Sequence, residues 1–169
     1  MISTDIQIYF LGAAGTVTGS KFLIKTRTKN ILIDCGLFQG VKELRAKKKK
    51  KLPLDESTVD LVLLTHGHLD HTGYLPRFVK NGFSGAIWAT APTIEITKII
   101  LEDSARIQEE DAERANREGF SKHAPAEPLY SYEDVENVIP LFSAQTLDNW
   151  IEIDSNTSCR FRYSGHILG

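Results

Sequence analysis

Between Thr65 and His71 the chain reads Thr65-His66-Gly67-His68-Leu69-Asp70-His71, spending three of its five histidines and one carboxylate on a single short stretch. Neutral imidazole suits zinc and related ions, and a carboxylate adds an anionic oxygen that offsets the charge of a dication. Four such donors packed this closely cannot all converge on one ion without severe backbone contortion, so two ions sharing the cluster is the easier solution. His66 and His68, two apart in extended chain, can aim at one ion. Asp70 and His71, near the start of a following helix, can aim at a second. A polar turn of solvated histidines is the bland alternative, and so concentrated a use of a scarce residue argues against it.

Two residues elsewhere could join this chemistry. Asp34 follows the apolar run Ile31-Leu32-Ile33 and precedes Cys35-Gly36. There it either orients a ligand histidine through its second ring nitrogen or caps the amides of its own turn. His166, beside Gly165 at what reads as the end of another strand, would complete a tri-histidine set that leaves a coordination position open for water, as catalytic zinc needs. The glycine-rich residues 12–20 are not a phosphate loop: Gly19 is followed by Ser20-Lys21, and no G-x-G-x-x-G occurs. They read as a tight loop lining the metal mouth. His123 reads as a surface histidine, and the lysines of residues 47–51 as a solvated loop or a contact for a nucleic-acid backbone.

The elements that must position these side chains follow from period and punctuation. Residues 59–64 form an apolar run that reads as a strand, placing the histidines at a strand end. Ile6, Ile8 and Phe10 alternate with Gln7 and Tyr9, and residues 21–26 and 31–34 read as a hairpin. A loop or frayed helix is expected over residues 36–55, a helix over 72–80 closing at Asn81-Gly82, and a short strand over 86–90. Pro92 opens a long helix with Ile94, Leu101, Ala105, Ala112 and Ala115 on its inner face and Gly119 at its end. A loop over 120–128, a capping box at Ser131-Tyr132-Glu133-Asp134, and strands over 150–153 and 159–163 around a turn at 154–158 complete the chain. Strands at both ends with helices between give a layered α/β or α+β sandwich.

Length and composition set the bounds. With 169 residues and 41% apolar composition, one substantial core is expected. Twenty basic and 22 acidic side chains leave a formal charge of −2, so any nucleic-acid contact must be local. No stretch approaches a membrane span and residues 1–12 show no signal-peptide pattern, which gives a cytoplasmic protein as the expectation. Cys35 and Cys159, without C-x-x-C spacing, read as buried free thiols.

Four ordered segments together resemble the metallo-β-lactamase superfamily: residues 12–20, Asp34-Cys35-Gly36-Leu37-Phe38-Gln39-Gly40, the histidine cluster through Gly73, and Ser164-Gly165-His166-Ile167-Leu168-Gly169. More narrowly they are similar to its β-CASP branch of RNA-processing nucleases. The resemblance implies an αββα sandwich with metals at one edge, two zinc ions in a complete site, and RNA as substrate. It assigns His66, His68 and His166 to one zinc and Asp70 and His71 to the other, with Asp34 in support. It further implies that this chain is the first half of the sandwich, ending before the cap domain, so that at most one zinc is firmly held and uncovered apolar surface drives self-association. The chemistry implied is attack on phosphorus by a water acidified between two zinc ions. An ester, thioester or lactam hydrolase on the same centre is the first alternative, and a non-enzymatic metal-binding or docking half-domain the second.

Overall fold

The computed structural model describes residues 6–39, 52–119 and 125–169. The lysine run at 47–51 and His123 lie outside the described residues, as do parts of the loops expected over 36–55 and 120–128.

A six-stranded sheet runs in chain order: β1 (Gln7–Gly12), β2 (Lys21–Lys25), β3 (Asn30–Ile33), β4 (Leu61–Leu63), β5 (Ala86–Thr90) and β6 (Phe142–Gln145). The first three strands are antiparallel neighbours, and β3 to β6 are parallel. The β2–β3 hairpin closes where the Thr26 amide donates to Lys29 O at 2.8 Å and Thr26 Oγ1 accepts from the Lys29 amide at 3.0 Å. Parallel pairing needs crossovers, and the helices supply them. α1 (Leu69–Thr72) and α2 (Leu75–Lys80) return the chain from β4 to β5; α3 (Ala91–Glu118) and α4 (Tyr132–Glu136) return it from β5 to β6. A second ladder pairs β7 (Ile151–Asp154) with β8 (Thr157–Cys159).

Strand alternation splits the sheet into two unlike faces. The row Leu23, Leu32, Val62 and Ile87, aligned by register, points into the core, where Leu75, Phe78, Ile94, Leu101 and Val135 of the helices meet it. The row Phe10, Phe22, Ile33, Leu63 and Trp88 lies on the other face. At its edge Phe10 is 66% and Ile8 56% exposed.

Several expectations are corrected. The expected helix over residues 72–80 is two helices broken at Gly73 and Tyr74, and the first begins earlier, at Leu69. α3 buries Thr97 and Ser104 as well as Ile94, Leu101 and Ala105, which apolar spacing could not reveal. The hydroxyls are satisfied inside: Thr97 donates to Thr93 O at 2.7 Å, and Ser104 accepts from Tyr130 at 2.8 Å. The strand expected over 159–163 is displaced, since β8 ends at Cys159 and the chain beyond keeps one isolated bridge, Leu147 to Phe161. β6 was not anticipated. Cys35 is buried, whereas Cys159 is only partly so; both are free. The capping box at Ser131 forms with Asp134, and Gly119 closes α3 in the left-handed region at φ 69°.

Candidate metal centre

The site grows from the carboxyl ends of β3 and β4. Leu64 is buried and its amide donates to Trp88 O at 2.9 Å, so the chain leaves the sheet only at Thr65. Gly67 then passes against α3 so closely that a Cβ there would lie 2.6 Å from Ile96 Cγ2. That contact turns the chain into α1, with His68 extended at its N-cap and Asp70 and His71 inside its single turn.

Three imidazoles converge. His66 Nε2 lies 3.1 Å from His68 Nδ1, and His166 Nε2 lies 3.2 Å from the same atom. One donor nitrogen from each ring falls within 4.8 Å of the others. Donors at about 2.1 Å from a tetrahedral ion stand roughly 3.4 Å apart, so this set fits one metal ion. Here His166 stands in an irregular segment rather than at a strand end, correcting the sequence expectation. Asp70 and His71 sit alongside, with His71 Nε2 3.6 Å from Asp70 Oδ2 and the His71 ring centroid 4.0 Å from that of His66.

Asp34 faces the opposite nitrogen of His71. It is buried, adopts φ 59°, and accepts from four side-chain and backbone groups. The His71 Nδ1 contact is 2.7 Å, Ser20 Oγ donates at 3.1 Å, Thr65 N at 2.8 Å and Thr65 Oγ1 at 2.9 Å. Such an arrangement fixes both the ring orientation and the tautomer of His71, leaving Nε2 free to face an ion. Ser20 and Thr65 were not singled out by sequence reasoning. The only signal available was their adjacency to the glycine loop and to the histidines.

Backbone bonds lace the same region. Ser20 N donates to Asp70 O at 2.9 Å, Cys35 N to His71 O at 2.7 Å, Leu37 N to Leu69 O at 3.1 Å and Tyr74 N to Cys35 O at 2.8 Å. Gly36 permits this closeness, because a Cβ there would lie 1.6 Å from Asp70 O.

Electrostatics favour neutral, ligating imidazole at His66. Burial, followed by the neighbouring His71, His68 and His166 rings, pushes its pKa down to about 4 against the pull of Asp34. Burial also works against a His71 cation, but the hydrogen bond and charge of Asp34, with the charge of Asp70, outweigh it and raise its pKa. Proton or metal ion, His71 is poised to share positive charge with Asp34. No helix among the described residues is long and apolar enough to cross a membrane.

Comparison with known proteins adds the family context. The pattern described as the metallo-beta-lactamase superfamily matches residues 14–151. Ribonuclease TTHA0252 of Thermus thermophilus is 33% identical over 97% of this chain and 33% of its own length. The Integrator complex subunit 11 homolog of Dictyostelium discoideum is 32% identical over 97% of this chain and 21% of its own length. Transcription termination factor FttA of Cenarchaeum symbiosum is 28% identical over 98% of this chain and 24% of its own length. The chain thus spans a third or less of the length of these relatives.

Proposed function

The chain belongs to the metallo-β-lactamase superfamily, and from that premise we propose that it carries the metal-binding edge of a zinc-dependent RNA phosphodiesterase of the β-CASP branch. The observation that carries the reading is the convergence of His66, His68 and His166 beside Asp70, His71 and the buried Asp34. The name of the Thermus relative, a ribonuclease, supports RNA over a small ester as substrate.

His66, His68 and His166 would hold one zinc ion, and Asp70 with His71 Nε2 would contribute to a second. When bound, zinc supplies a Lewis acid that lowers the pKa of coordinated water and offsets charge on phosphoryl oxygens. The residues of this chain do the rest of what is assigned here. His66 stays neutral and able to ligate because burial and its neighbours disfavour its cation. Asp34 holds His71 by Nδ1, while Thr65 and Ser20 hold Asp34. Asp70 would serve as a ligand rather than a general base, a reading supported by the place of its carboxylate beside His71 Nε2.

The test has two parts. Metal analysis after dialysis should find at most one firmly held zinc per chain; two stoichiometric zincs would contradict the reading that Asp70 and His71 alone do not hold a second ion firmly. A full-length relative assayed on single-stranded RNA and on a panel of small esters and thioesters should cut RNA in a zinc-dependent way, and ester turnover without RNA cleavage overturns the nuclease reading. The exposed Ile8 and Phe10 support self-association of this chain, which light scattering would register as a mass above that of a monomer.

A further inference from the structure

Lys21 is buried, as are the carboxylates Asp34 and Glu56. It opens β2 and is 1% exposed. A fully buried ammonium is costly unless its donors are used and its charge is met. Here Nζ donates to the carbonyl of Gly36, and it lies 5.0 Å from the ring centroid of Phe38 and 4.8 Å from that of Tyr74. Burial lowers its pKa, with the neighbouring Cys35 pulling the other way.

The partners of Lys21 are informative. Gly36 and Phe38 belong to the segment that follows Asp34, and Tyr74 closes the segment that carries Asp70 and His71. The Gly36 amide bonds Ser20 O, and the Tyr74 amide bonds Cys35 O. Phe38 is itself seated by Gly19, where a Cβ would fall 2.6 Å from its ring. The neighbouring row of Leu23, Leu32 and Val62 is apolar, and the buried Glu56 is a carboxylate whose charge, like that of Lys21, reaches Cys35.

We propose that Lys21 is a positioning residue for the metal centre: by bonding Gly36 O between the faces of Phe38 and Tyr74, it clamps the Asp34 segment against the Asp70–His71 segment. The inference rests on the metal-centre reading above. It assigns Lys21 no contact with substrate or metal; its effect passes through Asp34 and the backbone of the histidine loop.

Zinc affinity, read by competition with a chromophoric chelator, and the thermal midpoint of the metal-free chain together test it. Lys21→Met keeps the length and removes the cation. It is expected to weaken zinc binding about tenfold, the lower end for outer partners of metal ligands. The thermal midpoint should hold or rise, because an apolar side chain replaces a buried charge. Phe38→Leu, which leaves Lys21 in place and removes one ring face, is expected to weaken zinc binding by a smaller factor. Unaltered zinc affinity in a folded Lys21→Met chain overturns the proposal, and so does a loss of affinity accompanied by a lower thermal midpoint, the signature of a merely structural lysine. If Lys21→Met does not fold, Phe38→Leu decides: unaltered affinity, or failure of that chain to fold as well, overturns the clamp. Zinc binding by the unaltered chain separates this result from the premise, because its absence would remove the metal centre itself.

Discussion

The histidine loop after β4 and the segment bearing His166 bring imidazoles to the same point in space, yet they are built in opposite ways. His66, His68, Asp70 and His71 stand on a frame whose carbonyls at Leu69, Asp70 and His71 accept from the amides of Leu37, Ser20 and Cys35. His166 is exposed, and its backbone amide has one long contact, 3.4 Å to Ser164 Oγ. Its neighbour Gly165 takes φ 76° with nothing within 4 Å of where a Cβ would be. The segment is tied at its far end, where Thr90 Oγ1 donates to Gly169 O at 2.8 Å. One half of the site is thus pre-organised by the fold, and the other is delivered by an arm with few constraints of its own. Pre-organisation should show in how each half responds to damage.

The largest contrast is expected between two glycines. Gly36→Ala in the frame must push aside the Asp70 carbonyl, which no flexible side chain can relieve. It should cost more than about 4 kcal/mol or prevent folding, the range reserved for backbone strain and overpacking. Gly165→Ala in the arm meets open space and suffers only the left-handed φ, about 1 kcal/mol. Urea unfolding of both chains checks this. Equal losses would break the distinction between frame and arm.

Zinc affinity should follow the same division. His68 Nδ1 is the atom that faces both other rings, so His68→Ala removes the centre of the set. A weakening of at least ~100-fold is expected, beyond what outer partners usually give. His166→Ala removes the arm alone and leaves His66, His68 and the Asp70–His71 pair in place, with a weakening smaller than that of His68→Ala but above the roughly tenfold of an outer partner. Chelator competition on the two variants distinguishes them, and a larger loss from His166→Ala would reverse the ranking.

The same division explains what sequence could reveal. The frame is legible because its ligands are close in sequence and follow an apolar strand; local spacing reports local geometry. The parallel strands β4 and β5 and the long α3, with Pro92 and Gly119 at its ends, announce themselves by period and punctuation. The alternation of residues 159–163 predicts a strand end at His166, but among the described residues Cys159 alone of that stretch joins a ladder and Phe161 keeps one isolated bridge. β6 went unrecognised because Phe142-Ser143-Ala144-Gln145 is short and weakly apolar, and only its pairing with β5 makes it a strand. Ser20, Thr65 and Lys21 are invisible in the sequence for another reason: a single hydroxyl or amine acquires meaning only from the groups that tertiary packing brings into contact with it.

Acid titration of the metal-free chain should sharpen the electrostatic side of the frame. Burial and the neighbouring rings push folded His66 down to about 4, from an ordinary imidazole value near 6.5. Between these values the unfolded chain binds more protons, so His66 makes stability fall as pH falls from 6.5 towards 4. His71 has the opposite sign. Its raised pKa contributes stability that is fully present below 6.5 and is lost as pH rises through the folded value. With chelator present, His66→Asn should flatten the decline of thermal midpoint between pH 6.5 and 4, whereas His71→Asn should leave that window as it is and abolish a loss of stability that sets in as pH rises above 6.5. A His71→Asn chain that loses stability above pH 6.5 just as the unaltered chain does would contradict the pairing of Asp34 with His71.

The smallest expected effect leaves fold and metal untouched and reads only access. Cys35 lies within the frame, between Asp34 and Gly36, with no exposed surface. Burial pushes its thiol up to about 12, against the pull of Lys21, and Asp34 and Glu56 add to the rise. Cys159 ends β8, on the chain that leads to the arm, and is only partly buried; burial raises its pKa as well. Thiolate is the reactive form, and reagent must also reach the sulfur. Iodoacetamide at neutral pH should therefore modify Cys159 first and leave Cys35 intact until the frame opens. Mass spectrometry of the digested chain over a time course gives the two rates. Because Cys35 is reached only when the bonds from Cys35 N to His71 O and from Tyr74 N to Cys35 O break together, its rate measures opening of the frame. Zinc should slow labelling of Cys35 by favouring the closed frame, with less effect on Cys159. Labelling of both cysteines at the same rate would mean that the region around Asp34 and His71 is no better organised than the chain beyond β8.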